Sequence, residues 1–212
     1  MQVELIAITR YLRGEGTPEE LLEHAGRVCY RSAVRGGAGR FLRARIREGH
    51  ESLIEHASAT FEIGGLSRAA SHQLVRHRLA SFSQESQRYV EWSDPEWVLP
   101  PAIADDPEAL AVWNQLSGQV QAAYHALREL KVRKEDARFV LPNAAATRIV
   151  MTMNFRELLH LFRLRISPEA QWEIRELCVR MLELVCAHAP NVFGDLREEL
   201  RTRHPAFFEC VE

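Results

Sequence analysis

The sequence predicts one domain that mixes strands and helices around a single core. Three observations carry that expectation. The chain has 212 residues, enough for one sizeable core. Short alternating runs rich in branched residues interleave with longer stretches of helical spacing. No repeat, low-complexity tract or linker divides them.

Residues 3–9, VELIAIT, alternate and read as a strand. Thr17, Pro18, Glu19 and Glu20 form a helix start: a hydroxyl cap, a proline in the first turn and acids at the positive end of the dipole. That helix directs Leu21, Leu22, Ala25 and Val28 to the core. Glycines 36, 37 and 39 read as a connection, since they lack both the Lys-Ser/Thr of a P-loop and the G-x-G-x-x-G of a dinucleotide fold. A second helix covers residues 40–48. Residues 57–63 alternate, with Ala57, Ala59, Phe61 and Ile63 on the buried side. A helix over 67–77 places Gln73 and Arg76 on one face.

The polar segment after that helix reads as extended, with Gln84, Ser86 and Arg88 on one face and Glu85, Gln87 and Tyr89 on the other. Turn residues follow at 93–95 and 99–101. Asp105, Asp106, Pro107 and Glu108 cap a long helix running to about Leu130, and a short helix spans 133–139. Residues 145–153 read as a strand, with Asn154 capping the next helix. There Phe155, Leu158, Leu159, Phe162 and Ile166 keep core spacing, while Arg156, His160 and Arg163 make a basic face. A last long helix over 171–187 is mostly packing, followed by a short amphipathic tail.

Net charge is -2, which gives no electrostatic reason to expect nucleic-acid binding. Arginine dominates the cations, with Lys131 and Lys134 the only lysines. Cys29, Cys178, Cys186 and Cys210 form no C-x-x-C pair or disulfide framework, and two of them look like small core residues. No apolar run approaches membrane length, so a soluble cytoplasmic protein is expected.

Function is concentrated in residues 76–89, RHRLASFSQESQRY. Three guanidinium groups, an imidazole, four hydroxyls and two amides share fourteen positions. Arginine offers a planar fork that fits phosphate or carboxylate, while Ser and Gln add short neutral hydrogen bonds. The mixture suits a small anionic ligand carrying a polar ring. An exposed basic helix end followed by a polar strand would share the composition.

A second cluster, His50-Glu51-Ser52-Leu53-Ile54-Glu55-His56, invites a metal reading. Its histidines are six apart and diverge on a helix, unlike H-E-x-x-H, so no metal is expected. A polar turn with a cap is the other reading.

The spacing Arg76-His77-Arg78, seven residues, then Ser86 and Arg88 resembles the signature of the flavin-dependent thymidylate synthases. The resemblance continues through His50-Glu51-Ser52 with Glu55-His56, Asn154 and Arg156 as N-x-R, Leu164-Arg165, and Gln171-Trp172-Glu173. Two positions depart: Ser83-Gln84 stands where Asn-Glu is common, and His160 where asparagine is usual.

The resemblance implies an α+β single domain spanning 1–212, with one central, mostly antiparallel sheet flanked by helices. It implies reductive methylation of dUMP to dTMP, with methylenetetrahydrofolate as carbon donor and FAD reduced by NADPH as hydride carrier. It also implies a homotetramer with active sites shared between subunits. For dUMP it implies Gln73, Leu74, Val75 and Arg76, the run Gln84, Glu85, Ser86, Gln87 and Arg88, and Arg138 and Arg165. For FAD it implies Ser52, Arg76, His77, Arg78, Gln84, Asn154, Arg156 and His160, with His50 near the folate or flavin. Arg165 is the expected catalytic group, stabilising charge on the pyrimidine.

Ser86 is read as a binder of nucleotide and not a nucleophile, because Gln84 and Arg88 on its face supply no base. Two other classes share parts of the pattern. A nucleotide-binding regulator needs no redox cofactor, and a histidine-metal hydrolase would use His50, His56 and His77 with Glu51 or Glu55.

Overall fold

The computed structural model describes residues 1–33, 37–92, 94 and 96–211. Strands β1 (Gln2–Ile8), β2 (Ser58–Ser67), β3 (Ala80–Gln84) and β4 (Ala146–Asn154) form one sheet in the order β1-β2-β4-β3. Every pairing is antiparallel. The expected α+β class holds.

The central pair explains the alternation in the sequence. Ala59, Phe61 and Ile63 of β2 lie opposite Met153, Met151 and Ile149 of β4, and all six are buried. These cross-strand pairs form the floor of the core. On the other face Thr60 and Thr152 share a hydroxyl hydrogen bond of 2.9 Å, and Arg148 meets Glu62 at 3.4 Å. The sheet is therefore apolar on one face and polar on the other, as antiparallel sheets allow. Its register slips after Ile63, where Gly65 takes φ +69° and a Cβ would sit 3.5 Å from the Met1 Cα. Glycine supplies the backbone angle, since a Cβ at that distance would make only an ordinary contact.

Helix α1 (Pro18–Tyr30) starts with a reciprocal capping box: Glu20 N–H donates to Thr17 Oγ1 at 3.2 Å, and Thr17 N–H to Glu20 Oε2 at 3.0 Å. Leu22 is buried, but Val28, expected in the core, is 64% exposed. Six residues on from Leu22, it lies about 120° round the helix from the buried stripe. Helix α2 (Ala38–Arg47) packs on α1, with Gly37 as its cap. Residues 34–36 of the glycine connection, and 93 and 95 of the next predicted turn, lie outside the described residues.

Helix α3 (Arg68–Leu74) ends three residues before the expected stop. After α4 (Pro101–Ala104), α5 (Pro107–Glu129) begins on Asp106, whose carboxylate accepts from Glu108 and Ala109 N–H, and ends at Leu130 as expected. The predicted 133–139 helix divides into α6 (Lys134–Ala137) and a 3₁₀ turn, Arg138–Val140. Helices α7 (Phe155–Arg165), α8 (Trp172–His188) and α9 (Pro190–Arg203) close the core. Phe155, Leu158, Leu159, Phe162 and Ile166 are all buried, as are Cys178 and Cys186. The tail is longer than the sequence implied. α9 buries Val192, Phe193, Leu196 and Leu200, with Phe193 edge-on to Phe155 at 5.0 Å.

The extended reading of residues 84–89 fails past Gln84. Tyr89 and Val90 N–H both donate to the Ser86 carbonyl, so the chain turns there. Ser86 and Arg88 do not continue the face begun by Gln84. The cause is competition for β4. Ala146 N–H donates to Glu96 O and Val98 N–H to Ala144 O, so residues 96–98 occupy the ladder positions that an extended 86–88 would need.

One buried contact ties α8 to the sheet. Glu173, 2% exposed, accepts the Ser67 N–H at 2.6 Å and the Ser67 hydroxyl at 2.5 Å, while Ser67 Oγ accepts Ala70 N–H to cap α3. Glu173→Ala should cost about 3 kcal/mol or more, because it strands buried donors. Glu173→Gln should cost less, keeping one acceptor. Urea unfolding at fixed protein concentration measures both, and equal loss in the two variants would contradict this account.

Candidate active site

Expected site residues fall into three groups. The first lies where β3 meets α6. Gln84 Nε2 donates to Ser71 Oγ at 3.0 Å and to Thr147 Oγ1 at 3.3 Å, fixing the strand end against α3 and β4. Beyond it, Ser86 Oγ accepts Arg88 N–H at 3.3 Å. Arg88 reaches Glu135 Oε2 at 3.2 Å, and Arg138 Nε donates to the Glu135 carbonyl at 3.1 Å. Glu135 thus gathers both arginines on one side of the turn.

Arg68, which the sequence reading did not single out, joins this group. Burial and the nearby positive charge of Arg138 hold its pKa below the ordinary arginine value, and Glu85 offsets part of that. Two guanidinium groups close enough to repel favour an anion beside them. No base is hydrogen-bonded to Ser86 Oγ among the described residues, so nothing there activates it as a nucleophile, although the face argument for this fails with the turn.

The second group lies where the end of α3 meets α7. Arg76 and Arg78 are exposed, and among the described residues neither guanidinium has an ion pair or hydrogen-bond partner. His77 between them is 5% exposed, with one ring nitrogen hydrogen-bonded and the other facing a carboxylate beyond hydrogen-bond distance. Arg165 Nε donates to His77 Nε2 at 3.1 Å, and Glu157 Oε1 faces His77 Nδ1 at 3.6 Å. Arg165 Nη2 also donates to the Gln73 carbonyl at 3.4 Å. His160 lies alongside, its ring centroid 5.9 Å from that of His77. The Leu74 side chain is wholly buried, so Leu74 offers a ligand only backbone.

The third group surrounds the 3₁₀ turn Glu51–His56. Arg156 pairs with Glu55 at 2.5 Å and lies 3.9 Å from Glu51, and Arg163 pairs with Glu51 at 2.9 Å. The basic face of α7 is therefore partly neutralised by acids of the H-E-S segment. Ser52 and His50 are exposed, His50 lying 3.8 Å from Glu48. Asn154 caps α7, its Oδ1 accepting Glu157 N–H at 2.9 Å. Among the described residues, the one group with metal-ligand spacing is His77, Glu157 and His160, and it does not include His50 or His56.

Fold and side chains together define an α+β protein with one antiparallel sheet, exposed arginines at the end of α3 and a buried histidine between them. A family model described as Thymidylate synthase complementing protein matches residues 9–191. The chain is 47% identical to a flavin-dependent thymidylate synthase of Geobacter sulfurreducens over 84% of this chain and 82% of that one. It is 43% identical to one from Nitratidesulfovibrio vulgaris, over 91% and 85%. Its fold matches a crystal structure of thymidylate synthase X from Helicobacter pylori with FAD and dUMP, at a TM-score of 0.75 and 25% identity, covering 93% of this chain and 99% of that chain. The chain belongs to the flavin-dependent thymidylate synthase family.

His77 makes a pH prediction. Burial, then the charges of Arg165 and His160, lower its pKa from 6.5 to about 4. The folded protein therefore binds fewer protons than the unfolded chain between those values. Stability is complete above pH 6.5 and falls as pH drops toward 4, by about 1.4 kcal/mol per unit within that window. Denaturant unfolding at pH 7 and pH 5 should show the loss, and His77→Gln should flatten it. An unchanged slope in His77→Gln would assign the loss to other groups.

Proposed function

We propose that this chain converts dUMP to dTMP by reductive methylation, with methylenetetrahydrofolate donating the carbon. FAD, reduced by NADPH, supplies the hydride when bound. The observation that supports this most directly is the exposed pair Arg76 and Arg78, which have no ion-pair or hydrogen-bond partner among the described residues and flank buried His77, in a chain of this family. Unpartnered exposed guanidinium groups fit the diphosphate of FAD, so the residues present suit that cofactor.

The remaining roles follow from position. Arg76, Arg78, Ser52, Asn154, Arg156 and His160 hold and orient the flavin, with His50 beside it or the folate. Arg156 contributes through the donors that Glu55 leaves free. Arg88, Arg138 and the Ser86 hydroxyl hold the dUMP phosphate, and Gln84 orients the nucleotide from the end of β3. Arg165 faces the pyrimidine and stabilises negative charge on its N3–O4 edge, which raises the nucleophilicity of C5. The reaction runs in the cytoplasm, in a homotetramer whose sites draw on more than one subunit.

Purified protein should show a bound-flavin spectrum that NADPH bleaches. Arg165→Ala should lower turnover by on the order of 3–4 kcal/mol in barrier height, and Arg165→Lys should not restore it, since a point charge lacks the planar fork. Near-normal turnover of Arg165→Ala removes it from the mechanism. A colourless protein that binds only nucleotide would favour a regulator.

Sharing between subunits has its own test. Arg88→Ala and Arg156→Ala proteins, each inactive, should recover part of the activity when dissociated and reassembled together. Verified mixed oligomers without recovery would place each site within one chain.

A further inference from the structure

We infer that Glu157 is a positioning residue, which fixes the tautomer of His77 and through it the orientation of the Arg165 guanidinium toward the substrate ring. This rests on the proposed role of Arg165. Nothing in the family motifs singles out Glu157: it lies between Arg156 and the apolar stripe of α7, in the first turn.

The hydrogen-bond directions carry the argument. Arg165 Nε can only donate, and it donates to His77 Nε2 at 3.1 Å. That nitrogen must therefore hold a lone pair, which places the proton of a neutral imidazole on Nδ1. The Glu157 carboxylate faces Nδ1 at 3.6 Å, where negative charge favours this tautomer. With the opposite tautomer, N–H would confront N–H inside a buried contact. The charged imidazole is disfavoured for the same reason, consistent with the low pKa of His77.

The same geometry argues against a metal at His77, Glu157 and His160. The Arg165 guanidinium sits against His77 Nε2, which leaves Nδ1 to ligate, and the inferred tautomer puts the proton on that nitrogen. The arrangement serves the arginine. Its Nε is held by His77 and its Nη2 by the Gln73 carbonyl, so the plane of the fork is set by α3 and α7 together. The rest of the fork stays free for a planar partner. Charge stabilisation depends on that plane more than nucleotide binding does, so loss of Glu157 should fall on kcat.

The test uses full-length protein with labelled histidine, sedimented for solid-state NMR, and His77 assigned by its disappearance in His77→Gln. Wild type should show the Nδ1–H tautomer, and Glu157→Ala should populate Nε2–H. Glu157→Ala should also lower kcat by on the order of ten- to a hundredfold with little change in dUMP affinity. Glu157→Gln keeps an acceptor toward Nδ1 and should retain most of the turnover. An Nε2–H tautomer in wild type overturns the inference even if Glu157→Ala does not fold. So does an unchanged kcat in Glu157→Ala beside a crippled Arg165→Ala. Normal turnover in Arg165→Ala would instead sink the reading of Arg165 together with the inference.

Discussion

Glu173 accepts both polar hydrogens of Ser67 in a region almost without solvent, and the placement of α3 depends on it. Ser67 ends β2 and caps α3, so one carboxylate joins the sheet, the helix that leads to Arg76 and His77, and the N-terminus of α8. The contact is charge-assisted and removes buried donors that would otherwise be unsatisfied. Its acceptor sits in the Gln171-Trp172-Glu173 motif, where Gln171 separately caps α8 by accepting Glu173 and Ile174 N–H. Two of the three motif side chains thus hold α8 and α3 in place.

Much of this was legible in the sequence wherever a local rule met no competitor. The alternation over 57–63 matched the buried face of β2. The caps at Thr17, Asp106 and Asn154 opened α1, α5 and α7. Failures came where a distant segment decided the outcome. Residues 86–88 have strand-compatible composition, yet β4 is already paired with 96–98 at that level. α3 stops early because Val75 closes it and Arg76 and His77 turn onto Gln73 and Leu74 carbonyls. Arg68 and Glu157 escaped notice because each matters through a neighbour far along the chain, Arg138 for one and His77 for the other. Spacing cannot report such meetings.

The arginines sort by what opposes them. Arg76 and Arg78 have no partner among the described residues, Arg88 and Arg138 gather at Glu135, and Arg156 and Arg163 are answered by Glu51 and Glu55. Exposed pairs of this kind add little stability. Their effect is to hold long side chains in place while leaving part of each fork open. Arg165 differs, since its partner is a histidine ring and, among the described residues, no direct ion pair cancels its charge.

Besides the main core there is a second, smaller apolar cluster: Trp92, Tyr124, Ala137 and Ala145, with the Tyr124 hydroxyl accepting Trp92 N–H at 3.2 Å. The Ser86–Val90 turn is fastened to this unit, through Arg88 on Glu135 and Lys134 on the Tyr89 carbonyl. The α3–α7 side of the site is instead anchored in the large core. Cooperative openings follow such divisions, and a unit with few buried side chains opens at lower free energy than the whole. Amide protons around 86–92 and 124–138 should therefore exchange with solvent well before those of β2, β4 and α8. The Ser86–Val90 turn can loosen and re-form many times within the lifetime of the α3–α7 packing that holds Arg165.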